Sequence, residues 1–97
     1  SAENGMDVLC PADGVIVYLA DRGAYGFTVD IDHGNGFLSR LTHLSGTDLL
    51  MSQRIFAGER VSSLREKDFS QEETPHLHYE LFYQGVRVDP SPYFKKG

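Results

Sequence analysis

Apolar residues in this chain come in short runs that alternate with polar ones and stop at Gly, Asn, Asp or Ser, the period-two pattern of antiparallel strands. Gly14-Val15-Ile16-Val17-Tyr18-Leu19-Ala20 is one such run, and Phe27-Thr28-Val29-Asp30-Ile31-Asp32 is another. The pattern predicts strands at Val8-Cys10, Gly14-Ala20, Phe27-Asp32, Leu38-Leu44, Arg54-Phe56, Arg60-Leu64, Leu77-Gln84 and Val86-Asp89. Helical periodicity is confined to a turn or so around Gly46 to Met51. His33-Gly34-Asn35-Gly36 contains Asn-Gly, which suits the positive φ angles of a type I′ turn, so the runs on either side of it should pair as a hairpin. Gln84-Gly85 reads as a second hairpin tip that folds Val86-Arg87-Val88 back on Leu77 to Tyr83, and Pro90 and Pro92 then end the sheet. Met6 to Val17 and Gln53 to Val61 echo each other, each with an apolar pair, a small residue, a glycine and an apolar resumption. The expected fold is therefore all-β: a small antiparallel β-sandwich of duplicated hairpins with almost no helix.

Ninety-seven residues suffice for one core, so the chain is read as a single domain over residues 1–97. No apolar run approaches the roughly 18 residues that span a bilayer, and Ser1 to Asp7 is polar and acidic where a secretory signal would be basic and then apolar. A net charge of −5 without a basic stripe argues against nucleic acid or an anionic membrane as partner. The single cysteine, Cys10, stands between Leu9 and Pro11 in a strand-like run and reads as a small buried hydrophobe. From Ser62 to Thr74 the chain is polar and charged without alternation, a loop that runs straight into Pro75-His76-Leu77-His78.

Two of the four histidines are thus two positions apart, and on a strand His76 and His78 share a face. Burying both without partners is costly, so metal or acid-base chemistry and a pair of exposed or satisfied strand histidines both stand open. Glu80 shares their parity and could orient an imidazole. His43 closes the fourth run on the parity of Leu41 and Ser39, where alone it reads as a satisfied edge histidine; His33 reads as a structural turn residue. Asp30 and Asp32 read as a solvated strand face.

Taken in order, Val8-Leu9-Cys10-Pro11-Ala12-Asp13-Gly14, Tyr25-Gly26 through Asp32-His33-Gly34-Asn35-Gly36, Thr42-His43-Leu44-Ser45, Ala57-Gly58-Glu59 and Pro75-His76-Leu77-His78-Tyr79-Glu80 resemble the lysostaphin-like, or LytM-type, zinc peptidases that cut peptides of bacterial peptidoglycan. The resemblance spans nearly the whole chain. It implies a β-sandwich of duplicated hairpins, shared with lipoyl-type and phosphocarrier domains, and a location in the bacterial envelope, periplasmic or extracellular. It implies further that His78 is a zinc ligand and that His76 and His43 are the proton-handling and transition-state-stabilising residues.

Two departures qualify what the resemblance implies. The family's other two zinc ligands lie in an upstream His-x-x-x-Asp segment, whereas this chain starts thirteen residues before Gly14 and has no histidine there. The family's glycine-rich loop before His-x-His is here Ser62 to Thr74, which contains no glycine and must take another backbone path. Two functions follow as expectations. One is a peptidoglycan-directed zinc endopeptidase seen without its first two ligands, with weak or absent zinc binding in the chain as it stands. The other is a noncatalytic, degenerate LytM-type module that binds cell wall or a partner hydrolase.

Overall fold

The computed structural model describes residues 7–63 and 78–92, and at His78 the backbone. Its strands are β1 (Asp7–Leu9), β2 (Gly14–Asp21), β3 (Phe27–Gly34), β4 (Phe37–Leu44), β5 (Arg54–Ile55), β6 (Arg60–Ser63), β7 (His78–Tyr83) and β8 (Val86–Val88). They build a six-stranded sheet in the order β5-β2-β3-β4-β7-β8 and a two-stranded sheet of β1 and β6, with every pairing antiparallel. The all-β reading holds, and each expected strand is present to within a few residues. Leu64 and Leu77, placed in strands by the pattern, lie outside the described residues, as does His76.

Both hairpin tips follow from their residues. Asn35 and Gly36 have φ of 55° and 89°, and Gln84 and Gly85 have φ of 51° and 84°, the paired positive angles of a type I′ turn. The twist of that turn matches the twist of the strands it joins, which is why β3 runs straight into β4 and β7 into β8. The echo segments pair with each other: β1 takes β6, and the start of β2 takes β5. Between these pairs the Cys10 amide donates to the Glu59 carbonyl (2.7 Å), and the Ala57 amide donates to Asp13 Oδ1 (2.8 Å).

One face of the large sheet meets β1 and β6 across a core of Val8, Cys10, Ile16, Val29, Ile31, Leu41, Leu44, Ile55 and Val61. Six strands contribute to it, so no single hairpin could bury it alone. Cys10 is in this core as expected; its thiol donates to the Ala12 carbonyl, and burial pushes its pKa up.

Three expectations are corrected. The segment Gly46 to Met51 is not helical: Thr47 Oγ1 donates to the Val61 carbonyl (2.6 Å), which ties the segment to β6, and accepts from the Leu49 amide (3.1 Å) in a local turn. Among the described residues a 3₁₀ turn occurs instead at Gly23–Tyr25. His33 is not in the turn but inside β3, with the turn made by the two residues after Gly34. Asp30 is not solvated: it is 5% exposed, because β3 is a central strand and Arg40 of the neighbouring β4 lies on its carboxylate. Asp32 is exposed as expected, with Oδ1 accepting from the Gly34 amide.

Candidate functional site

His43 sits on a break in the sheet. Phe27 is opposite Leu44 and Val29 is opposite Leu41, so Thr28 alone faces both Thr42 and His43. This is a β-bulge with its extra residue on β4, and His43 takes it up with φ of 66°. Histidine is among the residues that tolerate this left-handed conformation. The bulge ends the strict alternation that put His43 on the parity of Leu41, and its ring Nδ1 lies 3.2 Å from Thr42 Oγ1. A second feature makes room for the bulge. Gly26, with φ of 76°, brings its backbone so close that a Cβ there would lie 2.8 Å from His43 Cα. Beyond the bulge the chain is tied to β6, by the Ser45 amide on the Ser63 carbonyl (2.9 Å) and the Ser62 hydroxyl on the Gly46 carbonyl.

His78 is opposite Thr42 in the β4–β7 ladder, so the backbone brings the His78 and His43 positions to neighbouring rungs. His76 lies outside the described residues. Thr28 adds an oddity beneath the bulge: it is fully buried and its hydroxyl has no hydrogen-bond partner.

On the same face as Thr28, a row of alternating charges crosses the strands. Asp30 accepts two hydrogen bonds from Arg40, at Nε and at one terminal nitrogen, each 2.9 Å. Arg40 is opposite Glu80 in the ladder, and Glu80 pairs with Arg87 at 3.4 Å. The Arg40 guanidinium also lies 5.4 Å from the centre of the Phe82 ring. Its bond to Asp30 is the first cause that raises its pKa and holds it charged. Glu80, which parity made a candidate to orient an imidazole, is thus engaged by Arg87. Towards the hairpin tips the face opens into a cleft of about 570 Å³, lined among others by Asp32, Leu38, Arg40 and Phe82.

His33, at the far end of the β3–β4 pair, is tied at both ring nitrogens. Nδ1 is 2.8 Å from the Asp13 carbonyl oxygen and Nε2 is 2.7 Å from Ser39 Oγ, which is itself 3.2 Å from the Tyr79 hydroxyl. Gly14 allows this approach, since a Cβ there would lie 2.6 Å from the Asp32 oxygen and 3.1 Å from His33 Nδ1.

Sequence reasoning missed Gly26, Arg40 and Tyr79. Arg40 was within reach: counting back from the Asn-Gly turn brings Asp30 opposite it. No local signal marks the bulge, because an extra residue in a strand changes pairing and not composition.

Among the described residues, no three His, Cys, Asp or Glu side chains gather so as to hold a metal ion. The described donors therefore do not make up a zinc site. Among them, too, no helix is long and apolar enough to cross a membrane.

The fold and these positions define an antiparallel β-sheet domain with a histidine on a bulge at one end of its large sheet. The profile of Peptidase family M23 matches residues 1–90, and the chain belongs to that family, the LytM and lysostaphin-like metallopeptidase family, in which zinc dependence is a family trait. It is 33% identical over 85 residues to the peptidoglycan DD-endopeptidase ShyA of Vibrio cholerae, covering 88% of this chain and 19% of that protein. It is 28% identical over 95 residues to the murein hydrolase activator NlpD of Escherichia coli, covering 96% of this chain and 24% of that protein. Among solved structures it matches a peptidase M23 from Pseudomonas aeruginosa with a TM-score of 0.78 and 31% identity, covering 90% of this chain and 37% of that one. The chain thus spans about a fifth to a quarter of these two relatives' length.

Proposed function

We propose that residues 1–97 form one M23 domain of a peptidoglycan-directed endopeptidase, acting in the bacterial envelope on peptide cross-bridges or stems. In this reading His78 is this chain's zinc ligand, and His43 and His76 handle protons and steady the developing oxyanion. The observation that carries the reading is the bulge at Thr42 and His43. It turns one imidazole out of the regular ladder beside the rung that His78 occupies, and bulges next to reactive centres commonly re-aim a side chain in this way. The likeness to ShyA, described as a peptidoglycan DD-endopeptidase, gives the substrate class. The paired charges and the Phe82 ring on the same face make a floor on which a peptide carrying both charge signs could lie.

A second reading has specific support. NlpD, to which the chain is 28% identical over 95 residues, is described as a murein hydrolase activator. On that reading the same face binds cell-wall peptide or a partner hydrolase without cutting.

Calorimetric titration of the chain with zinc separates the two. Weak zinc binding by the chain that is lost in His78→Ala is expected of the endopeptidase, together with release of peptides from purified peptidoglycan once a His-x-x-x-Asp segment supplies the remaining ligands. Submicromolar binding would show that other residues already complete the site. Absence of zinc binding, with peptidoglycan still retained by the chain, selects the binding module.

A further inference from the structure

The hydrogen bonds of His33 run in one direction, and a single carbonyl sets it. A carbonyl oxygen only accepts, so Nδ1 of His33 carries the proton that reaches Asp13 at 2.8 Å. In the neutral imidazole Nε2 is then an acceptor, and the Ser39 hydroxyl donates to it at 2.7 Å. With its hydrogen spent, Ser39 Oγ accepts from the Tyr79 hydroxyl at 3.2 Å. The relay thus crosses from the turn before β2 through β3 and β4 to β7. Ser39 is fully buried and Tyr79 packs against the core, so the two bonds at Ser39 are partly shielded from water, while the His33–Asp13 bond is exposed. At the receiving end Asp13 is itself fixed, because its carboxylate accepts from the Ala57 amide.

We propose that this relay is a positioning device: Tyr79 is clamped through Ser39 and His33 to the Asp13 turn, and this sets where β7 presents His78, the residue immediately before it. The role rests on the reading of His78 given above; the geometry of the relay does not. Tyr79 is a positioning residue and touches no reacting atom. Backbone pairing alone leaves β7 free to shift against β4, since main-chain bonds repeat along the ladder. A part-buried side-chain bond between Tyr79 and Ser39 does not repeat, and so it selects one seating.

The test uses Tyr79→Phe in the full chain, which removes one hydroxyl and keeps the ring. Imidazole nitrogen NMR should show His33 as the Nδ1–H tautomer. In Tyr79→Phe, amide exchange at residues 79–82 should quicken about tenfold, the change expected on losing one part-buried hydrogen bond, while amides of Val29 and Ile31 keep their rates. An Nε2–H tautomer in the unaltered chain overturns the proposal. So does equal quickening at every amide, which is mere global destabilisation. Zinc titration of both chains separates this proposal from the one it rests on. If β7 loosens as expected but zinc binds neither chain, the relay stands and its role towards a metal ligand falls. If zinc binds both chains equally and the exchange rates do not change, the relay falls while the peptidase reading stands.

Discussion

His33 and His43 lie at opposite ends of the same pair of strands, yet the protein treats them in opposite ways. His33 is inside β3 with both ring nitrogens bonded to distant parts of the chain, so it joins a turn, two strands and, through Ser39, a third. His43 sits on a left-handed residue of β4, with its ring Nδ1 3.2 Å from Oγ1 of the adjacent Thr42. A glycine stands against each: Gly14 lets a turn close on His33, and Gly26 lets a bulge form at His43. The difference teaches that residue type does not decide the role. A histidine in register can staple distant segments, whereas one carried by a bulge is taken out of the ladder's alternation.

The sharpest way to break the comparison is to fill the two glycines. Gly14→Ala puts a Cβ 2.6 Å from the Asp32 oxygen, a backbone atom that cannot turn aside, and should cost about 3 kcal/mol in urea unfolding. Gly26→Ala meets His43 Cα at 2.8 Å from a positive φ and should cost a similar amount, about 2–3 kcal/mol, with loss of the His43 conformation visible by NMR.

Next comes removal of the histidines themselves. His33→Ala strands the Asp13 carbonyl and the Ser39 hydroxyl and should destabilise by about 2 kcal/mol. His43→Gly should do the reverse, raising stability by about 0.5–1 kcal/mol because glycine accepts φ of 66° without strain. On the peptidase reading the same variant should lower hydrolysis by about 100-fold or more. If the two substitutions had the same sign in thermal unfolding, the contrast between staple and displaced residue would fail.

Smaller effects sharpen the picture. Thr28, under the bulge, buries a hydroxyl without a partner, so Thr28→Val should raise the urea midpoint, by about 1 kcal/mol in stability. Burial raises the Cys10 pKa, so folding favours the protonated thiol. That stability is complete below the ordinary thiol value of 9.0 and is lost as pH rises through the higher folded value. Cys10→Ala should therefore flatten the alkaline limb of a stability-pH curve.

Much of the fold was legible, and the reason is local. Period-two alternation marks strands whatever they pair with, and Asn35-Gly36 and Gln84-Gly85 state their turn geometry in their own residues. What stayed hidden depends on pairing. Asp30 reads as a surface carboxylate until register sets Arg40 against it. His33 reads as a turn residue until Asp13, twenty positions away, is seen to hold its ring. The bulge at His43 is an offset between two strands, which neither strand records alone. For the candidate site, His43 and the backbone of His78 fall on neighbouring rungs, while His76 lies outside the described residues.

The pairing of β1 with β6 sets the order in which the chain can assemble. Arg60 reaches back to Asp7 across 53 positions, whereas the β3–β4 hairpin closes over a two-residue turn. Local hairpins form first, and a contact this remote waits on loop closure. During synthesis β1 therefore waits for its pairing until β6 has followed it. Val8 and Cys10, later deep in the core, are exposed throughout that interval, so the step most open to aggregation is the delay before the first strand finds its mate.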